Sequence, residues 1–492
     1  MGEKTRLGLW ILGAALVLGA LGDALLRATP WGVNFFLWIL ALIGAAVAVA
    51  WRGRSPLAGE GRWLIFTAVF FSGGLVWRDS PVVAALDVLA VLMALALAVA
   101  RGKSGGLRRA GLSEYLIGSA YAGALASAGP APVAIRDIAW SEVARGGWRE
   151  PVLAVTRGVL IAAPLVLVFG ALFVAADAVF ENLVLNVFGF DVAKVLGHLL
   201  IFTVCAWITS GLLWAALMTR GSDRFAFDRP RTLSLGIVEI GVVFSLLDVL
   251  FVVFIAVQVR YLFGGAATVS ATAGLTYAEY ARHGFFELVV VTALALPLLL
   301  LAHWMLHAEG RAHRWIFTAL AVMLAVLLLV VVASALERMY LYTTRFGLTE
   351  LRLYTTVFMI WISIVLLWFA ATVLRGARER FAFGALISGF AVIFLINAMN
   401  PDVLIVRANI ARMQEGKEFD PYYVDSLSAD AVPVLVDALP KMNHTGRKVV
   451  EDALRNRWLD PKEKDWRTWN TARAAAHRTT RSYSSTISNH AN

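Results

Sequence analysis

Three ionisable side chains in the stretch TYAEYARHGFFELVVVTALALPLLL, residues 276–300, share a line. Glu279, His283 and Glu287 recur at i, i+4 and i+8, which places them on one helical face with Arg282 beside it. Such an acid–base ladder could hold a cation or pass protons; i,i+4 charge pairs also decorate exposed helices with no further role. Thr276 and Glu279 form a capping box, so a helix is expected to begin at Tyr277, ahead of the apolar run. A second dense patch follows in what reads as a loop: Glu337, Arg338, Tyr340, Tyr342, Arg345, Glu350, Arg352 and Tyr354. The two patches could line one outer vestibule. Surface ion pairs, each worth about 0–1 kcal/mol, would account for the same residues.

Acids also occur inside apolar runs. The run TLSLGIVEIGVVFSLLDVLFVVF, residues 232–254, carries Glu239 and Asp248. Nine residues at 100° each turn these two carboxylates to opposite sides of one helix, so they are not a dyad. A charge at mid-bilayer costs roughly 2.5–3.5 kcal/mol on insertion scales, so each needs a partner or a proton. Asp87 and Asp23 pose the same problem. The functional expectation is a proton or cation path through Asp248, Glu239 and Asp87; the alternative is structural bonding to Ser, Thr or Arg on adjacent helices.

Other motifs exclude more than they suggest. His303 and His307 stand at i and i+4 without the carboxylate of an HExxH site, and no metal site is expected. Cys205 stands alone in an apolar run, so no intramolecular disulfide forms and no catalytic thiol is expected. Pro164 and Pro297 interrupt apolar runs, as broken transporter helices or plain kinks do. Nucleotide-binding, serine-hydrolase and redox fingerprints are missing, so no catalytic residue and no cofactor is assigned.

The elements that must position these groups follow from composition. Of 492 residues, 59% are hydrophobic and only 16% charged, where a soluble chain carries roughly a quarter. Apolar runs of about 20 residues, ended by Arg, Trp or Pro, read as membrane-spanning helices. Eleven are expected, near 7–26, 31–51, 63–77, 81–100, 158–176, 197–219, 233–258, 284–306, 315–336, 351–374 and 381–399. The third is short and contains Gly73 and Gly74, so a re-entrant segment is an alternative there. The first run continues past signal-peptide length and reads as a retained span. Alternate connections hold 22 Lys plus Arg against 8 on the opposite side, which makes the first set cytoplasmic. The net charge of +10 is thus a topology signal, and no nucleic-acid partner is expected.

The expected organisation is an all-α, polytopic transmembrane bundle with a small C-terminal helical domain. Residues 1–100 hold four spans, 101–157 a basic cytoplasmic loop with an interfacial helix near 113–126, and 158–399 a core of about seven spans. Within that core, residues 178–196 read as an outer interfacial segment. Residues 400–481 form the helical domain, with helices from Pro401 and near 430–439, 445–458 and 461–478. Asn400 caps the first, Gly416 ends it, and Val403, Val406, Ile410 and Met413 line its apolar face. Residues 482–492 are expected to be disordered.

Four blocks carry a resemblance: YLFGG, YAEYARHGFFELV, LYTTRFGLTELRLYTTVFMIWI, and NPDVLIVRANIAR followed by FDPYYVDSLSADAVPVLVDAL. Together they resemble a bacterial membrane family, domain of unknown function 4173, over roughly residues 160–440. The resemblance implies a multi-pass protein of the bacterial cytoplasmic membrane and carries no catalytic residue. Three functions stay open: a proton- or cation-coupled transporter, a non-catalytic envelope protein for sensing or assembly that offers its outer loops and C-terminal domain to a protein partner, and a lipid transferase using Glu279, His283 or Glu350 as base.

Overall fold

Apolar helices satisfy their own backbone hydrogen bonds, which is what a hydrocarbon solvent demands. The computed structural model describes residues 1–53, 61–101, 106–143, 192–219, 235–263, 285–306, 310–459 and 465–491, with scattered positions between 154 and 180. Among these residues the secondary structure is helical, and nine helices are long and apolar enough to cross a membrane. The protein is an all-α, multi-pass membrane bundle. The expected span at 158–176, the interfacial segment at 178–196, and the capping box with Glu279, Arg282 and His283 lie largely or wholly outside the described residues.

The chain forms two compact units. The first comprises residues 1–107, 113–225 and 462–474. Its helices are α1 (Glu3–Leu26), α2 (Val33–Arg52), α3 (Gly61–Trp77), α4 (Pro81–Arg101), α5 (Leu112–Ala128) and α6 (Val192–Leu217). Helices α1 and α6 pack antiparallel through small residues. A side chain on Gly22 would come within 2.5 Å of Cys205 Sγ, and one on Gly19 within 2.8 Å of Ala206. Cys205 is therefore a buried packing residue. The short α3 is one continuous helix of 17 residues, about 25 Å long. Gly74 lies inside it, and the Asp87 carboxylate of α4 occupies the space a side chain there would need.

The basic loop holds a feature that the sequence reading did not reveal. Helix α5, where an interfacial helix is expected, touches α4 at Gly118 and Ser119, and its C-terminal end touches α6 at Ala126 and Ser127. At Gly129, with φ of +61°, the chain turns back, and Val133 and Ile138 reach Gly8 of α1. The turn lies beside Trp207 of α6. Its backbone carbonyls find protein partners. The Trp207 indole donates to Ser127 O (2.8 Å), and the Trp140 indole donates to Ala134 O (2.6 Å). Trp214 anchors the returning arm by donating to the Asp137 carboxylate (2.8 Å). Residues 113–143 thus form a helical hairpin against α1, α4 and α6.

Residues 465–473 are stitched to the turns of the same unit. Asn470 donates to Leu75 O (2.7 Å) and Arg78 O (2.9 Å) and accepts from Ala472 N. Arg473 pairs with Asp79 (3.0 Å) and donates to Trp31 O, and Val33 N donates to Trp469 O.

The second unit spans residues 226–461 and 475–492, with the short piece 108–112. It contains α7 (Ile237–Phe263), α8 (Phe285–Met305, with Pro297 inside), α9 (Arg311–Phe346), α10 (Glu350–Thr372) and α11 (Phe381–Met399). Phe244, Phe317, Leu328, Val331, Leu366 and Phe369 fill their shared core. Helix α9 corrects an expectation. Glu337, Arg338, Tyr340, Tyr342 and Arg345 lie on a helix, not in a loop, because nothing breaks the backbone before Gly347 at φ +84°.

The C-terminal helices are α12 (Pro401–Gln414), α13 (Pro421–Asp425), α14 (Val432–Ala438), α15 (His444–Leu454) and α16 (Thr471–Ala491), the last continuing from the first unit into the second. Asn400, at φ +53°, accepts from Val403 N, and Gly416 follows the end of α12. The buried face of α12 is Asp402, Ile405, Val406 and Ile410, rotated from the expected stripe because Asp402 turns inward to Ser428. The last helix begins at Thr471 under an Asn470 cap, later than the Asp460–Pro461 start, which lies outside the described residues. Residues 482–491, where a disordered tail is expected, continue α16, and Tyr483 donates to Glu451 Oε1 (2.5 Å).

Candidate functional site

Helix α7 turns one stripe towards α9: Ile240, Phe244, Asp248, Phe251 and Gln258 are all buried. Two polar residues in that stripe have unmet bonding capacity. Asp248 is 7% exposed, and neither carboxylate oxygen has a partner among the described residues. Gln258 is 5% exposed; its carbonyl accepts from Ser334 Oγ of α9 (2.8 Å), while its amide nitrogen has no acceptor among the described residues. An unmet buried donor costs about 1–3 kcal/mol, so Gln258 Nε2 is placed for something not made by the described chain.

Gln258 lines a cavity of about 500 Å³ between α7, α8 and α9. Its walls are apolar, from Leu250, Phe251, Phe254 and Val257 on α7 to Leu288 and Val291 on α8. Its polar groups are Gln258, Glu287 and the buried guanidinium of Arg338. The cavity spans residues 250–258 of α7, about 12 Å along the helix, and Asp248 is not in its wall. Glu287 and Arg338 thus line one cavity, and Asp248 lies outside it.

A second cavity, about 930 Å³ and polar, lies where the α9–α10 turn meets the C-terminal helices. Arg345, Arg352, Arg412 and Lys417 line it, with Glu418, Asp420, Asn409 and Tyr423. Its scaffold is specific. Asn409 of α12 accepts from Leu348 N (2.9 Å) and donates to Leu348 O (2.8 Å), so one amide holds both backbone groups of the turn. Arg412 donates to Thr344 O (3.2 Å) and Arg345 O (2.7 Å), covering carbonyls at the end of α9. Glu350 N donates to the Tyr423 hydroxyl (2.8 Å). Arg352 lies 4.1 Å over the Tyr342 ring and donates to Gly347 O.

Electrostatics follow burial here. Burial lowers the affinity of Arg412 for its proton, and the charge of Arg352 adds to that effect. The Tyr423 hydroxyl is held above the usual phenol range, first by burial and then by Glu350 and Asp402. Asp402 is raised by burial, against two bonds from Ser428 that favour its charged form. One Asp402 oxygen accepts from Ser428 N (3.1 Å) and Ser428 Oγ; the other has no hydrogen-bond partner among the described residues.

The remaining expected site residues are dispersed. Glu239 lies exposed in the first turn of α7, its carboxylate folded towards Gly236. Asp87 is buried against Gly74 in the other unit. Glu337 is exposed on α9, and Glu350 and Tyr354 are partly buried on α10. Asp23 accepts from or donates to His198 Nδ1 at 2.7 Å. His303 packs against the Phe317 ring. Sequence reasoning missed Gln258, whose signal was a lone amide in FIAVQVRYLF, and Asn409, Arg412 and Tyr423, whose helices gave no hint of their contacts.

The family described as domain of unknown function (DUF4153) matches residues 65–438. No curated protein and no solved structure matches the chain. The match starts well before residue 160 and carries a different number from the family that the motif blocks resemble, 4173. The chain belongs to the DUF4153 family.

Proposed function

We propose that this DUF4153 membrane protein is a transporter-class protein that binds an acyl-chain amphiphile in the cavity between α7, α8 and α9. One observation carries the reading: an apolar cavity of about 500 Å³ whose polar end presents an unmet, buried Gln258 amide beside Arg338. Apolar walls suit a hydrocarbon chain, and the two donors suit an acceptor-rich headgroup. A path for a hydrated cation would need polar walls, which these are not. We assign the protein to a bacterial cytoplasmic membrane, with the α9–α10 turn outside, on the Lys and Arg count.

The test is saturable binding of a fluorescent fatty acid to the protein in phosphatidylcholine nanodiscs. Gln258→Leu removes a hydrogen bond to a charged headgroup and is expected to weaken binding about tenfold or more. Val291→Trp fills the cavity and is expected to abolish binding. Non-saturable partitioning that both variants leave unchanged would overturn the reading.

Asp248 favours a second element, coupling to protons. A partnerless carboxyl in the α7–α9 interface is a group that can take and release a proton as the helices separate. If so, Asp248→Asn abolishes pH-dependent transport while fatty-acid binding persists; unchanged pH dependence would remove Asp248 from the mechanism. The sensing or assembly alternative has less support, because the C-terminal helices already occupy the α9–α10 turn through Asn409, Arg412 and Tyr423.

A further inference from the structure

The polar cavity above the α9–α10 turn has an unbalanced interior. Four cations and two acids line it, but Asp420 is turned onto the backbone N–H groups of Tyr422 and Tyr423, and Lys417 pairs with Glu415 at 2.8 Å. That leaves Arg345, Arg352 and Arg412, from three different helices, with Glu418 as the remaining acid. None of the three arginines forms an ion pair among the described residues, and Arg352 and Arg412 are close enough for their charges to oppose one another.

Like charges held together are costly, and the scaffold holds Arg352 and Arg412 together with only Glu415 acting against their repulsion at Arg412. Arg412 is fixed by two carbonyls at the end of α9, and Arg352 is stacked on Tyr342. Residue Arg345 lies seven positions beyond Arg338 on α9, about 10 Å along the same helical face. Guanidinium groups present rigid forks that match phosphate oxygens, and several converging on one cavity suit a multiply charged oxyanion. A volume of about 930 Å³ holds more than a lone ion, within the range of cavities that enclose small organic ligands.

We propose that this cavity is a binding site for a phosphate-bearing anion, either a lipid phosphate headgroup or a soluble phosphate ester, recognised by Arg345, Arg352 and Arg412. The site goes beyond the amphiphile reading: it uses different side chains and stands whether or not the apolar cavity is filled.

Two probes separate the sources. Inorganic pyrophosphate is titrated calorimetrically against the full chain in phosphatidylcholine nanodiscs, and the same chain is placed in nanodiscs with one fifth phosphatidic acid for lipid capture by native mass spectrometry. Binding of pyrophosphate assigns a soluble phosphate; retention of phosphatidic acid alone assigns a headgroup. In either case the double variant Arg345→Gln, Arg352→Gln is expected to weaken binding about a hundredfold, each lost charged bond giving about tenfold, and Arg345→Lys to restore part of it. Should the double variant fail to fold, phenylglyoxal modification of the native chain is the second readout: the bound probe is expected to shield Arg345 and Arg352. Neither probe binding, or binding that the variants leave equal and that shields no arginine, would overturn the proposal.

Discussion

Asp23 and Asp248 are both carboxylates inside apolar helices, and the protein treats them differently. In the first unit Asp23 meets His198 at 2.7 Å, and two carbonyls of the hairpin accept from the indoles of Trp207 and Trp140. Asp248, in the second unit, has neither oxygen partnered among the described residues, and the Gln258 amide nitrogen, nearly three turns on, has no acceptor among them and lines a cavity. Partnered polar groups within a membrane hold helices together. Unmet ones cost stability and persist where function uses them. The contrast is one of degree: one Asp23 oxygen meets His198 while its other oxygen, like both of Asp248, has no hydrogen-bond partner among the described residues.

The largest effect should come from tightening the scaffold. A side chain on Gly211 would lie 2.2 Å from Ala126 O, a backbone atom with nowhere to go. Gly211→Ala is therefore expected to cost about 3 kcal/mol and most of the folded yield. Gly13→Ala, which meets nothing within 4 Å, should be neutral or stabilising. Thermal melting in detergent compares them, and equal melting would mean that the hairpin does not pack on α6.

Asn470→Ala ranks next. It strands the Leu75 and Arg78 carbonyls and removes the cap of α16, at about 2–3 kcal/mol for the combined loss. Limited proteolysis should then cut near 465–473 first; wild-type resistance would argue against the stitch.

The two aspartates give the sharpest comparison. Asp23→Leu breaks a partnered contact and is expected to cost about 1–2 kcal/mol. Asp248→Leu removes a polar group with no partner among the described residues and should be neutral or stabilising, while the proposed pH-dependent transport would be lost. If both variants melt equally low, Asp248 has a structural partner and the contrast fails.

The smallest effect concerns pH. Burial, helped by Asp430, lifts Asp402 above the ordinary carboxylate range despite Ser428 and Arg457. The folded chain then holds a proton that the unfolded chain releases. The stability linked to Asp402 is fully present below its unfolded value, about 3.9, and lost as pH rises through the folded value. Asp402→Asn cannot ionise and should flatten that part of the pH–melting curve; an unchanged slope would assign it to another group.

Helix number and type were legible because lipid leaves the backbone few choices, and caps such as Asn400 with Pro401 and Gly416 mark local events that sequence records. The hairpin over 113–143 was not legible: Ser113–Ala126 is rich in small residues, and its partners Trp207 and Gly211 lie about eighty residues away. The extent of α9 was misjudged because clustered charges suggested a loop, although no Gly or Pro interrupts 311–346. At the site, Glu287 and Arg338 were found through their charge. Gln258 and the arginine cavity depend on which helices face each other, and periodicity carries no such information.

The most direct test of the account is photolabelling with a diazirine-bearing fatty acid on the protein in nanodiscs, with adducts mapped by peptide mass spectrometry. The account predicts adducts concentrated in residues 250–258 and 287–291 and competed away by unlabelled fatty acid. Adducts spread evenly over all lipid-facing helices, and insensitive to competitor, would contradict it.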